Sequence, residues 1–182
     1  PEPVSVTASF ADIDNDGDAD LYVTTVRKGN VLYENAGKGR FTDISRESGL
    51  DHVGHSSGAV FFDYNRDGLL DLFLVNVGSY TTDEVKTVSI PSFETDKREY
   101  RFFQGRDDAF TGQLFPERYE ASILYENRGE NRFVDVSEKR RLVDVSWSGD
   151  ASPLDLNGDG WFDLYVLNMQ GHDEYYENVG GE

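Results

Sequence analysis

The chain has 182 residues, of which 37% are hydrophobic and 13% aromatic, so it is long and apolar enough for one domain with its own core. Its 35 acidic and 17 basic residues give a net charge of −18, which argues against nucleic acid or an anionic membrane surface as a partner. The sequence has no cysteine, so disulfide and thiolate chemistry are excluded, and no apolar run is long enough for membrane insertion.

The first predicted element is a strand at Val4–Phe10, and an acidic stretch, DIDNDGDAD, follows it from Asp12 to Asp20. The pattern returns as DYNRDGLLD from Asp63 and as DLNGDGWFD from Asp155. Each stretch precedes an apolar run with strand composition, namely LYVTTV, LFLVNV and LYVLNM. The chain is therefore predicted to contain an internal repeat.

A second marker, LYEN or YYEN, fixes the period of this repeat. Asp12 and Tyr33 are 21 residues apart, as are Asp155 and Tyr176, whereas Asp63 and Tyr125 are 62 apart. We therefore expect a single domain made of units at about 1–51, 52–143 and 144–182, with a 41-residue insertion at about 77–122 of the second unit. The third unit is expected to be incomplete, because it has no counterpart of the fourth-strand phenylalanines Phe41 and Phe133.

Each unit has the composition of four short antiparallel strands, which in the second unit are SGAVFFD, LDLFLVN, SILYEN and NRFVDVS. Four strands in about 50 residues are typical of a β-propeller blade. The predicted fold is therefore all-β, with about three propeller-type blades in an open or partial propeller and an acidic loop between the first and second strands of each blade.

The spacing of the acids within each loop indicates a calcium site, because Ca²⁺ takes six to eight oxygen ligands and one short loop supplies them from alternate residues. Positions 1, 3, 5 and 9 offer side-chain oxygens, position 7 offers its backbone carbonyl, and position 6 is always glycine, as expected where φ is positive. About three Ca²⁺ ions per chain would change the net charge from −18 to about −12. The predicted ligand residues are Asp12, Asp14, Asp16, Asp18 and Asp20; Asp63, Asn65, Asp67, Leu69 and Asp71; and Asp155, Asn157, Asp159, Trp161 and Asp163.

Other interpretations of the loops fit less well. An EF-hand requires an acid at position 12, where this chain has Val23, Leu74 and Val166. Magnesium prefers an octahedral site with retained waters. Metal-free Asx turns are the structural alternative, but three copies of the loop at one period make this alternative weak.

Enzymatic chemistry is not expected. The stretch Gly54–Gly58 matches G-x-S-x-G, but that motif requires a helix after it and here a strand, AVFFD, follows. The three histidines, His52, His55 and His172, form no zinc motif, and we expect them in loops or at the surface. Within the loops, the apolar pairs Leu69–Leu70 and Trp161–Phe162 are expected to pack against an adjacent blade or to contact another subunit.

The segments DIDNDGDADLYV and DLNGDGWFDLYVLN resemble the FG-GAP/VCBS repeats of integrin α-chain propellers and bacterial surface proteins. The segments NVLYENAGKGRFTDISRESGL and SILYENRGENRFVDVS are similar to the subgroup that includes cartilage acidic proteins and ASPIC/UnbV proteins. This resemblance implies calcium-binding blades whose usual role is adhesion or display rather than catalysis.

Two functions are expected from these observations. The first is an extracellular or cell-surface calcium-binding structural module that self-associates head to tail, as a subunit of a filament or layer, because open blade edges tend to pair. The second is an adhesion module of a larger propeller, in which the insertion binds another surface protein or a glycan. An enzyme is the third possibility considered, and apart from Gly54–Gly58 no motif favours it.

Overall fold

The computed structural model describes residues 3–91 and 97–182. In this part of the chain, thirteen β-strands are accompanied by a one-turn helix, α1 (Ser45–Ser48), and by 3₁₀ segments at Ala109–Leu114 and Pro116–Arg118. The strands are β1 (Val4–Ala11), β2 (Asp20–Gly29), β3 (Val31–Asn35), β4 (Phe41–Asp43), β5 (Val53–Phe62), β6 (Asp71–Asn76), β7 (Thr81–Pro91), β8 (Lys97–Gly105), β9 (Ile123–Asn127), β10 (Phe133–Asp135), β11 (Trp147–Leu154), β12 (Asp163–Gln170) and β13 (Glu174–Tyr176).

These strands form three blades of antiparallel strands. The first blade is β1–β4, the second is β5, β6, β9 and β10, and the third is β11–β13. The residue before each acidic loop pairs with the acid that ends the loop, and the three pairs are Ala11 with Asp20, Phe62 with Asp71 and Leu154 with Asp163. The identical register shows that the sequence repeat is also a structural repeat.

The first two blades are joined into one curled sheet, because β2 also pairs with β5 through Val26 with His55 and Gly29 with Val53. The third blade is a separate three-stranded sheet. The prediction of an all-β, partial propeller of antiparallel blades is therefore confirmed, with the acidic loops between the first and second strands of each blade.

The core lies between the blades. One cluster of buried side chains joins the first and second blades, with Tyr22 and Leu32 against Leu74 and Tyr125. A second cluster joins the second and third blades, with Phe73 and Leu124 among its members. Each blade is therefore stabilised by burying one apolar face against its neighbour.

The insertion lies between β6 and β9. Its β7 and β8 form a two-stranded hairpin, and the 3₁₀ segments follow. The indole of Trp147, on the third blade, is buried and lies against Gly78 and Gly112 at the base of the insertion. The insertion is therefore packed against the third blade at its base.

The expected position of the histidines is wrong for His55, whose side chain is 2% exposed in β5. Its Nδ1 lies 2.7 Å from Glu120 Oε1 and its Nε2 lies 2.8 Å from Thr81 Oγ1. This buried chain of hydrogen bonds ties both ends of the insertion to the second blade and gives both ring nitrogens of the histidine a partner inside the strand. The whole of Gly54–Gly58 lies within β5, in a strand and not in a strand-to-helix turn.

Among the described residues, no helix is long and apolar enough to cross a lipid bilayer.

Candidate calcium loops

Each acidic loop makes a tight turn because residues in the middle of it adopt left-handed backbone angles. The glycine at position 6 has a φ of 93° in Gly17, 87° in Gly68 and 89° in Gly160, which confirms the predicted need for glycine. Position 4 is left-handed too, with φ of 62° at Asn15 and 59° at Arg66, a feature that the sequence analysis missed.

The aspartate at position 1 organises the loop from inside. In the first loop, Asp12 Oδ1 accepts the N–H of Asp16 at 3.1 Å and Oδ2 accepts the N–H of Gly17 at 3.0 Å. In the second loop, the position-1 aspartate makes both of these bonds. In the third loop, the position-1 aspartate also accepts the N–H of Gly160, but its other donor is the N–H of Gly158 and not that of the residue at position 5. Backbone donors thus hold the position-1 carboxylate facing the centre of its loop.

Positions 3 and 5 form two successive Asx turns. Asp14 accepts the N–H of Asp16 at 3.2 Å, and Asp16 in turn accepts the N–H of Asp18 at 2.8 Å. Asn65, Asp67, Asn157 and Asp159 make the equivalent bonds in the other two loops. A metal-free turn and a calcium loop share these bonds, so the hydrogen bonds alone do not distinguish the two interpretations.

The first loop brings more carboxylates together than a metal-free turn requires. Carboxylate oxygens of Asp12, Asp14 and Asp20 all lie within 4.8 Å of one another. Asp16 and Asp18 are exposed and lie outside that group. In the second and third loops position 3 is an asparagine, so an amide oxygen of Asn65 or Asn157 stands where the first loop has the Asp14 carboxylate.

The aspartate at position 9 ties the loop to the third strand of its blade. Asp20, Asp71 and Asp163 are at most 2% exposed. Asp71 accepts the N–H of Tyr64 at 3.1 Å and that of Asn127 at 2.8 Å. The same two bonds are made by Asp20 and by Asp163.

Burial acts on these carboxylates differently in the three loops. It raises the pKa of Asp20, and it raises that of Asp71 to about 7 in spite of the N–H donors. For Asp163, hydrogen bonds from Asn178 and from the Tyr175 hydroxyl outweigh burial and lower the pKa. A buried carboxylate is costly to keep charged, so a cation beside it would offset that cost.

The asparagine of the LYEN and YYEN markers makes structural hydrogen bonds to the loops that the sequence analysis missed. Asn127 Nδ2 donates to the carbonyl of Leu70 in its own loop and to that of Ile13 in the loop of the first blade. Asn178 donates to Phe162 and Tyr64 in the same way. The constant spacing of 23 residues from Asp12 to Asn35 and from Asp155 to Asn178 was the signal that could have identified it.

Neighbouring loops also contact one another. Asn15 Nδ2 donates to the carbonyl of Gly68 at 2.9 Å, and the Arg66 guanidinium lies 4.5 Å from the ring centre of Trp161. Trp161 and Leu70 thus pack against an adjacent blade, as one of the two interpretations expected, whereas Phe162 is 47% exposed. The three loops lie in sequence along one edge of the blades.

The donor set is entirely oxygen, from carboxylates, amides and the position-7 carbonyl, and such a set suits a hard divalent cation such as Ca²⁺. In the first loop, where three carboxylates converge, the residues fit that cation directly. Each of the other two loops has three aspartates where the first has five, because position 3 is asparagine and position 7 is Leu69 or Trp161 in place of Asp18.

Comparison with known proteins finds a repeat family over the first two loops. Residues 12–74, from the first loop into β6, match the family model of the FG-GAP-like repeat. Cartilage acidic protein 1 from Xenopus tropicalis is 35% identical over 63 residues, which is 34% of this chain and 10% of that protein. The match therefore covers about a tenth of the length of this relative, and residues 12–74 of the chain are similar to an FG-GAP-like repeat.

Proposed function

We propose that the chain is an extracellular calcium-binding structural module that self-associates through its outer blade faces. The observation that carries the calcium-binding part is the threefold repetition of one loop in one register, with the carboxylates of Asp12, Asp14 and Asp20 converging in the first copy. A cation in each loop would connect the first strand, the second strand and, through position 9, the third strand of its blade.

The electrostatics of the chain support a cation in these loops. The net charge is −18, and the loops concentrate a large share of the acids at one edge of the blades. Carboxylates held together repel one another, and a divalent ion removes that repulsion locally. Extracellular calcium modules bind with a Kd of about 10⁻⁴–10⁻³ M, so this chemistry suits an extracellular or cell-surface location.

Two apolar faces support self-association. Each blade has both faces, which are covered where two blades meet inside the chain, but one face of the first blade and one face of the third blade are open. Position 2 of the loop is buried in the first two blades, with Ile13 1% and Tyr64 4% exposed, whereas Leu156 in the third is 62% exposed. On the opposite side, Phe10 of the first blade is 65% exposed, and its counterpart Phe61 packs against the first blade. The two open faces therefore carry apolar residues at the same positions as the two faces that pack together between blades inside the molecule.

The polar contacts of these faces are complementary too. Asn127 and Asn178 each donate to the position-2 carbonyl of the preceding blade. Asn35, on the open face of the first blade, donates to Ala19 in its own loop. A second copy that placed its first blade on the third blade of its neighbour would bring Asn35 to the carbonyl of Leu156. Repeated contacts of this heterologous kind generate a filament when they do not close into a ring.

Calcium titration calorimetry on chelator-stripped protein tests the calcium-binding part of this function. We expect about three Ca²⁺ per chain, one for each loop. Zero or one bound ion at millimolar calcium would contradict it. Magnesium at the same concentration is the control cation, and it should give a much weaker signal, because it requires a rigid octahedral site.

A further inference from the structure

The first acidic loop is held by the second blade as well as by its own strands, through three successive residues centred on Asp14. Before Asp14, the carbonyl of Ile13 accepts the side-chain amide of Asn127. After it, the side chain of Asn15 donates to a backbone carbonyl of the second loop. The carboxylate of Asp14 itself, at position 3, lies 3.4 Å from the side-chain nitrogen of Asn131. The geometry of this loop therefore depends on the neighbouring blade.

Asn131 places its amide between two carboxylates of the first blade. Its Nδ2 donates to Glu34 Oε1 at 2.7 Å, and Asp14 Oδ2 lies 3.4 Å from the same nitrogen. Two carboxylates that share one nitrogen repel each other, and N–H donors between them reduce this repulsion. The amide oxygen of Asn131 is buried and has no hydrogen-bond partner among the described residues. Turning the amide over would place that oxygen against both carboxylates, so the contact of the N–H groups outweighs the cost of one unpaired oxygen.

The third loop makes the equivalent contact without help from another blade. Its position 3 is Asn157, whose own Nδ2 donates at 3.2 Å to Glu177, the counterpart of Glu34 in the YYEN marker. In the first loop, position 3 is an aspartate, which has no N–H to donate when it is charged. Asn131 therefore supplies, from the second blade, the amide that the third loop has within itself.

We propose that Asn131 is a positioning residue for a cation in the first loop, because it holds the Asp14 carboxylate in the group that it forms with Asp12 and Asp20. This inference rests on the proposed calcium binding and deepens it, since it makes the first site depend on two blades. Without the amide, the repulsion from Glu34 turns the position-3 carboxylate away from that group. By linkage, an ion in the first loop strengthens the contact with the second blade by the same factor as Asn131 strengthens ion binding.

The backbone at Asn131 allows its side chain to be removed cleanly. Its φ is 56°, in the left-handed region that favours glycine. The equivalent residue of the first blade, four residues after the marker asparagine, is Gly39, with a φ of 69°. Asn131→Gly therefore deletes the amide without straining the turn.

Hydrogen exchange measured across a calcium titration of the 182-residue chain tests the proposal, because it follows each loop separately. In the unchanged chain, residues 12–20 and residues 155–163 should each become protected as calcium is added. In Asn131→Gly, the calcium concentration at half-protection of residues 12–20 should rise about tenfold, as is usual when a residue that orients a metal ligand is lost. The value for residues 155–163 should stay the same, and a general loss of stability would move both.

A double-mutant cycle with Asp14→Asn separates positioning of the carboxylate from a merely structural role. This change gives the first loop the asparagine that the other two loops have at position 3. In its presence, Asn131→Gly should shift half-protection of residues 12–20 less than about threefold, because the carboxylate that Asn131 orients is gone.

The outcomes distinguish this proposal from calcium binding itself. An unchanged half-protection of residues 12–20 in Asn131→Gly, an equal shift at residues 155–163, equal shifts with and without Asp14→Asn, or calcium protection confined to the other loops would each overturn the positioning role alone. If calcium protects none of the three loops in the unchanged chain, calcium binding is wrong and the role of Asn131 is overturned with it.

Discussion

The side-chain amide of Asn127 donates to the backbone carbonyl of Ile13, 114 residues away, at 2.8 Å. This bond joins the second blade to the acidic loop of the first, and Asn178 makes the same bond to Tyr64. One residue type thus connects a strand to its own loop and to the loop of the blade before it. The blades are held in their relative positions by these amides as well as by the apolar clusters between them.

The first prediction compares Asn127→Ala with its matched control, Asn35→Ala. Asn127 is 1% exposed, and its loss leaves the carbonyls of Ile13 and Leu70 without their donor. Asn35 is half-buried and donates to Ala19 within its own loop. We expect Asn127→Ala to lower the free energy of unfolding by about 2–4 kcal/mol and Asn35→Ala by about 1 kcal/mol. Urea unfolding in saturating calcium measures both, and equal losses would contradict a link between blades.

The second prediction concerns calcium removal and two neighbouring acids of the first loop. Excess chelator should lower the melting temperature, because each emptied loop leaves clustered oxygens facing one another and ion binding stabilises only the folded chain. Asp16→Ala should reduce this calcium-dependent gain if a bound ion draws in the position-5 carboxylate, which the spacing predicts as a side-chain ligand. Asp18→Ala should keep the gain, since position 7 contributes its backbone carbonyl. Thermal scans with and without calcium give the gain for each variant. If the unchanged chain melts at the same temperature with and without chelator, the loops do not bind calcium.

The third prediction concerns the base of the insertion. A Cβ at Gly112 would collide with the ring of Trp147, whereas a Cβ at Gly105 meets no described atom within 4 Å. We expect Gly112→Ala to lower the free energy of unfolding by about 1–3 kcal/mol through overpacking, and Gly105→Ala to change it by about 0.5 kcal/mol or less. Denaturant unfolding of both variants checks this. Similar values for the two would mean that the insertion and the third blade do not pack together.

Much of the blade architecture was predictable from local signals. The alternation of apolar residues, the Asp and Gly spacing and the period of the repeat identified β5, β6, β9 and β10 and the turns at Gly17, Gly68 and Gly160. These features depend on a few neighbouring residues, and the sequence displays them three times.

The features that were missed depend on residues far apart in the chain. His55 is buried because Thr81 and Glu120 approach it from the two ends of the insertion, and no local pattern shows that. The bond from Asn127 to Ile13 likewise depends on how two blades are placed, although the repeated asparagine was visible. The pairing of β2 with β5 joins two blades through their inner strands, which a repeat of separate blades does not predict.

The last prediction tests self-association with two leucines of similar exposure. Leu156, 62% exposed, lies on the open face of the third blade, and Leu114, 70% exposed, lies on the insertion. If one copy covers that face with the first blade of the next, Leu156→Asp buries a charge in the contact and should weaken association at least about tenfold. Leu114→Asp introduces the same charge on the insertion and not on the open face of the third blade. This variant should therefore associate as the unchanged chain does. Light scattering across a concentration series in calcium buffer measures the mass of the particles. A chain that stays monomeric at about 100 μM, or equal effects of the two variants, would rule out association through this face.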